Sequence, residues 1–137
     1  MMNLSPAQLE QSIKSLKREI QGDAFLDPYH RWLYSTDASL YQIHPQAVVV
    51  PKTPEDTTPS GQWASQHGIP ITPRGSGTSL SGQSIGPGMV IDFSKHLNRI
   101  VHLDPENATA RVQPGVVLDQ INRAAAAHGL QFGPDVA

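Results

Sequence analysis

Apolar residues over the first twenty positions fall on one side of a helix. Leu9, Ile13, Leu16 and Ile20 recur at intervals of three and four, with Lys, Arg and Glu on the other side. Ser5 and Pro6 supply a cap and a first turn, and Gly22 reads as the stop. FLDPYHRWLYSTDASLYQIHPQ, residues 25–46, has no clean period and reads as an ordered, aromatic-bearing connection. AVVVP (47–51) predicts a short buried strand. TPEDTTPSGQWASQHG predicts mostly helix, opened by Thr53 with Pro54 at its first position and closed by Gly68. Pro59 and Gly61 sit awkwardly inside it, so a late start or a distortion is expected. IPITP is the next strand, and a strand–helix–strand unit implies parallel strands with a right-handed crossover. MVIDF predicts a third strand. RIVHLD and TARVQPG flank the turn-like PENA and predict an antiparallel hairpin. VVLDQINRAAAAHG predicts a helix with Val117, Ile121, Ala124 and Ala125 inward and Gly129 at its end. The class is α+β: a small parallel sheet with flanking helices, plus a hairpin. Residues 1–46 form an N-terminal helix and connection, and 47–137 the main unit.

Composition narrows the function. The 137 residues suit one domain or part of one. A net charge of -2 gives no footprint for nucleic acid or an anionic membrane. The chain has no cysteine, so no disulfide and no iron–sulfur cluster can be held by these residues. No secretory signal and no run near the roughly 20 apolar residues of a membrane span is visible.

The chemistry concentrates in ITPRGSGTSLSGQSIGPGMVIDF, residues 71–93, which holds five of the 11 glycines. Three binding readings compete. GTSLSGQS has the glycine spacing of a triphosphatase phosphate loop, but Gln83 stands where that motif needs lysine. GSGTSL begins like a dinucleotide fingerprint, but Leu80 occupies the third glycine position, where bulk would push a helix off its strand. The third is an anion nest: successive N–H groups of Gly75, Ser76, Gly77, Thr78 and Ser79 can converge on a pyrophosphate. Arg74 would add charge or tie down loop carbonyls. Against all three stands a plain glycine-rich turn.

Elsewhere the signals are structural. His67 and His128 precede glycines and read as helix C-terminal residues favoured by the dipole. His30, His44, His96 and His102 lack ligand spacing, so no metal site is expected. Asp37 reads as a turn cap and Asp92 as turn-structuring. No acid–base couple emerges, and catalytic residues are expected outside this chain.

VVVPKTPED, HGIPITPRGSGTSLSGQ, MVIDFSKHLNRIVHLDPENATARVQPGVVLDQIN and HGLQFGPD, taken together, resemble the N-terminal half of the PCMH-type FAD-binding domain. This belongs to the vanillyl-alcohol-oxidase-like flavoproteins. The resemblance runs in order from about Ala47 to Asp135. Its nearest subgroup is the FAD-linked oxidases related to D-lactate dehydrogenase, the glycolate oxidase flavin subunit and D-2-hydroxyglutarate dehydrogenase. DPYHRWLYSTDASLYQIHP is similar to the start of long bacterial members with a C-terminal iron–sulfur module.

The resemblance implies that the loop Arg74–Ser79 grips the FAD pyrophosphate, flanked by Pro73 and Leu80. Gly82 and Gln83 continue beside the flavin. Pro114 and Gly115 form a second cofactor turn, and Pro134 and Asp135 lead into a further cofactor segment. In some relatives a histidine joins the flavin ring directly after the last glycine of this loop. Thr78 stands there here, so FAD is expected to be held without a covalent bond. The implied reaction is oxidation of a 2-hydroxy acid of the D-lactate, glycolate or D-2-hydroxyglutarate type, by hydride transfer to flavin. The substrate is expected on a cap that family members carry after this region. Alternatives are another alcohol substrate, or a non-catalytic nucleotide-binding or assembly module. The chain is expected to be part of a longer protein. Alone it should be inert, bind FAD poorly and self-associate. The protein is expected in the cytoplasm, or peripheral to the inner membrane through its electron acceptor.

Overall fold

A computed structural model of the chain describes residues 5–134. Helix α1 runs Pro6–Glu19. The Ser5 hydroxyl accepts the Gln8 N–H and the Gln8 side chain accepts the Ser5 N–H, so the predicted cap closes reciprocally. Ile13, Leu16 and Ile20 are buried, which is the inward stripe the spacing gave. Gly22 does not end this helix. Ile20 already leaves it in extended backbone. A side chain at Gly22 would run into the Val50 carbonyl and come within 2.8 Å of the Lys52 nitrogen. The glycine is there for a close strand approach, not for a stop.

The connection contains two elements that the apolar pattern did not give. Strand β1 is Asp23–Phe25 and helix α2 is Pro28–Leu33, capped by Asp27 accepting the His30 N–H. Strand β2, Ala47–Val50, follows. A single 3-10 turn over Pro54–Asp56 then leads into α3, Thr57–Gln66. The late start expected from Pro59 is therefore real: the helix places that proline in its first turn, where its missing N–H costs little. Gly68 ends the segment at a φ of +63°. Gly61 has nothing within 4 Å of where a Cβ would sit, and its φ is not positive. Gly61→Ala should accordingly stabilise the fold by about 0.5–1 kcal/mol. Chemical denaturation would register this as a higher midpoint at unchanged slope. A lower midpoint would contradict the helix geometry.

Strands β3 (Ile71–Arg74) and β4 (Met89–Asp92) complete the sheet, in the order β1-β2-β4-β3. Both β2 and β3 pair with β4 in parallel, so the strand–helix–strand unit is parallel as predicted, but β4 lies between its two strands. The sheet is mixed rather than wholly parallel, because β1 adds an antiparallel edge to β2. Every residue of β2 and β4 is buried, as central strands covered on both faces should be. One face carries Ala47, Val49, Met89 and Ile91 against α1 residues and Trp63 and Ala64 of α3. Residues from both sides of position 46 share this core.

The predicted hairpin is β5 (Ile100–Asp104) with β6 (Thr109–Val112), antiparallel, with a register shift between Ile100 and His102. Helix α4, Leu118–Ala126, follows. Ala125 is buried and Ile121 and Ala124 are half-buried, but Val117 is exposed. Val117 occupies the cap position, one residue before the helical stripe begins. Gly129, at a φ of +69°, closes the turn after it.

Candidate functional site

Parallel strands β3 and β4 end side by side, with Arg74 opposite Asp92 and Pro73 opposite Ile91. The glycine-rich segment leaves from this carboxyl-terminal edge, where open sheets of this kind bind ligands. The glycines divide into two groups. Gly86 and Gly88 are packing residues: side chains there would strike Thr72 of β3 and the carbonyl of Pro70 just before it. Gly77 is conformational, with a φ of +72°.

Between them the loop offers donors. Among the described residues, the backbone N–H groups of Ser76, Gly77, Thr78, Ser79 and Leu80 have no hydrogen-bond partner. Ser76, Thr78 and Leu80 are exposed. The Ser79 hydroxyl is used within the loop: it donates to Gln83 Oε1 at 2.6 Å and accepts the N–H groups of Ser81 and Gln83. Its contribution to a ligand is therefore through its backbone. Gly82, at a φ of +74°, turns the chain under the Tyr41 ring.

Arg74 lies at the loop entrance. Its Nη1 donates to the Thr36 carbonyl at 2.8 Å and to the Ser84 carbonyl at 3.4 Å. The guanidinium stacks over the Tyr34 ring at 5.3 Å. A Cβ on Gly77 would lie 2.5 Å from Arg74 Nη2, so the cation is tucked against the loop's left-handed residue. Of the two roles open to Arg74 in the sequence, carbonyl anchoring is the one its contacts display. The charge still stands beside the free N–H row.

Segments far away in sequence surround this loop. Tyr34 donates to buried Asp92 at 2.6 Å, and Asp92 also accepts the N–H and hydroxyl of Ser94. Burial, then the bond to Asp92, pushes the Tyr34 phenol well above its ordinary range, so it stays a donor. Asp37 caps its own turn by accepting the Ser39 N–H, as predicted, and also accepts the Ser84 hydroxyl at 2.9 Å. Bonds from Ser39 and Ser84 outweigh partial burial and hold the Asp37 carboxyl at about 2. Pro114 comes near the loop, with its carbonyl 3.8 Å from a Cβ built on Gly75. Gly115 is pinned by its N–H to the Leu97 carbonyl at 2.8 Å. No hydrogen bond among the described residues ties Pro134 to the loop, and Asp135 lies outside the described residues. The sequence reading missed Tyr34, Thr36, Ala38 and Ser84. For the first three the only signal was the short polar stretch around Asp37, and Ser84 lay unremarked at the end of the glycine-rich segment.

A mostly parallel sheet whose edge opens into a loop of free N–H groups beside a cation has the donor set that an anion-binding nest requires. Comparison with known proteins specifies the kind. Residues 45–137 match the family described as FAD binding domain, and the chain belongs to that family. D-2-hydroxyglutarate dehydrogenase of Escherichia coli (strain K12) is 37% identical over 119 residues, covering 85% of this chain and 12% of that protein. Glycolate oxidase subunit GlcD of Bacillus subtilis (strain 168) is 43% identical over 108 residues, covering 77% of this chain and 23% of that one. The chain thus spans under a quarter of the length of these two curated relatives. A solved alkyldihydroxyacetonephosphate synthase superposes with a TM-score of 0.76 at 22% identity, over 99% of this chain and 28% of that one. p-Cresol methylhydroxylase gives 0.70 at 18% identity, over 93% of this chain and 26% of that one. These two likenesses establish the fold.

Proposed function

We propose that this chain is the pyrophosphate-gripping part of a flavin-dependent oxidoreductase that oxidises a 2-hydroxy acid. The observation that carries the reading is the row of unpaired N–H groups from Ser76 to Leu80, curled by Gly77 and backed by Arg74. Such a row fits the two adjacent phosphates of FAD, and the small side chains let the backbone approach them. In this reading Gly75, Ser76, Gly77, Thr78, Ser79 and Leu80 bind through the main chain, and Pro73 and Arg74 set the entrance. Gly82 and Gln83 carry the loop onward, Pro114 and Gly115 bound it on the second side, and Pro134 and Asp135 belong to the next cofactor segment. Bound FAD would supply the two-electron acceptor for the substrate's α C–H bond. The 2-hydroxy-acid class is supported by the names of the relatives, which include D-2-hydroxyglutarate dehydrogenases and a glycolate oxidase subunit. An iron–sulfur electron acceptor elsewhere in the protein belongs to the same proposal.

The test is purification of the full-length protein, followed by acid precipitation and assay. The protein should be yellow and should release free FAD into the supernatant, because Thr78 offers no imidazole to the ring. With an artificial electron acceptor it should turn over at least one of D-2-hydroxyglutarate, glycolate and D-lactate. Colour left in the pellet would refute the non-covalent mode. A yellow protein inert toward all three acids would refute the substrate class.

A further inference from the structure

The loop that carries the free N–H groups has little structure of its own: within it, hydrogen bonds run only to and from Ser79. What fixes it comes from residues 34–41. The Thr36 carbonyl takes the Arg74 guanidinium at the loop's entry. The Ala38 N–H donates to the Gly77 carbonyl at its centre, 3.0 Å away. The Tyr41 ring lies over Gly82, and Asp37 takes the hydroxyl and N–H of Ser84 at its exit. Residues 34–41 are themselves locked. Ser35 is fully buried, its hydroxyl donates to the Trp32 carbonyl at 2.7 Å, and its carbonyl accepts the Ile43 N–H at 2.8 Å. A further bond, from Gln42 to the Ser35 hydroxyl, closes this short stretch on itself. The region matched to the family begins at residue 45, so these contacts come from upstream of it.

We propose that residues 34–41 are a brace that preorganises the 75–83 loop for its cofactor, with Asp37 as the positioning residue. The proposal rests on the flavin reading above. A loop ordered during folding does not lose that freedom again when a ligand binds, so the brace acts on affinity without touching the ligand. Asp37 is suited to the task because an ionised carboxylate accepts from several donors at once. It joins the Ser39 turn to Ser84 across 47 positions of sequence.

The experiment compares wild type, Asp37→Ala, Asp37→Asn and Ser84→Ala in the full-length protein. Three quantities are read: the FAD dissociation rate, hydrogen exchange at the Ala38 amide in flavin-free protein, and the melting temperature. Loss of the carboxylate should speed both flavin release and Ala38 exchange about tenfold, the scale of one charge-assisted bond. Melting should stay near wild type, and Asn, which keeps one acceptor oxygen for either Ser39 or Ser84 but not for both, should recover only a part of either rate. Ser84→Ala should show the same pattern with a smaller effect, and it decides the matter if Asp37→Ala melts globally. Unchanged exchange at Ala38 would overturn the brace. Faster exchange with an unchanged flavin rate would overturn its positioning role. A wild-type protein that takes no FAD would refute the flavin reading instead, and Ala38 exchange would then judge the brace alone.

Discussion

Gly77→Val should strip FAD from the protein and leave its far-UV circular dichroism almost unchanged. Two effects act together. At a φ of +72° a β-branched residue is strained by about 1–3 kcal/mol, so the backbone would leave the left-handed region and turn the N–H row away. If it stayed, the new Cβ would meet Arg74 Nη2 at 2.5 Å and Cζ at 2.9 Å. Arg74 could yield only by releasing the Thr36 and Ser84 carbonyls. Either route dismantles the cradle, and two effects of this size multiply to a loss of affinity of about a hundredfold or more. The core is remote from this loop and should survive. The measurement is flavin content per purified chain, beside the spectrum. Full occupancy in the variant would remove this loop from the cofactor site.

Asp56→Ala should cost the fold about 3 kcal/mol or more, the largest stability effect expected of any single polar residue here. Its buried carboxylate accepts four backbone N–H groups: Gln21 on Oδ1, and Gly22, Lys52 and Thr53 on Oδ2. One side chain thus joins the start of β1, the end of β2 and the 3-10 turn before α3. Removing it strands four donors in a closely packed place. Burial pushes the Asp56 carboxyl up, but the four N–H bonds outweigh burial and set it below the ordinary 3.8. Its contribution is therefore complete above about pH 4 and is lost as pH falls through the lowered folded value. Wild-type stability should drop steeply below pH 4, and Asp56→Asn should be less stable at neutral pH but flatter in that window. Denaturant titrations at several pH values would show this. Parallel curves for the two proteins would refute the assignment.

What the sequence disclosed depended on range. Helix α1, the hairpin and strands β2, β3 and β4 followed from period and punctuation, because a stripe or a buried run is a local signal. Helix α2 was missed although Asp27–Pro28 carries the same cap signature as Ser5–Pro6. Six residues with aromatics on several sides make no stripe, and a cap signature without a stripe behind it does not specify a helix. Strand β1 is three residues long and gains its identity from pairing with Val48–Val50. The glycine cluster looked like one loop. Gly86 and Gly88 proved to be contacts with β3 and the residue before it, a fact visible only once Pro70 and Thr72 are beside them. In the same way Asp37 was legible as a turn cap, but its bond to Ser84 was not, because nothing near Asp37 announces a partner so far along the chain.

The order β1-β2-β4-β3 also bears on how the chain acquires its structure. Strands β2 and β3 never touch as a pair; each is hydrogen-bonded to β4, which is made after both. A growing polypeptide that has reached Arg74 holds β1 and β2, helix α3 and strand β3, with a gap where the strand between β2 and β3 must go. Ala47 waits for Met89 before it has a parallel neighbour. Loop-closure entropy is therefore met late and all at once, which makes this a slow, high-contact-order step. The hairpin of β5 and β6, by contrast, pairs residues close in sequence and can form as soon as it emerges. Until Met89–Asp92 slots in, β2 and β3 each present an unpaired edge, and that interval is when this chain is most exposed to aggregation.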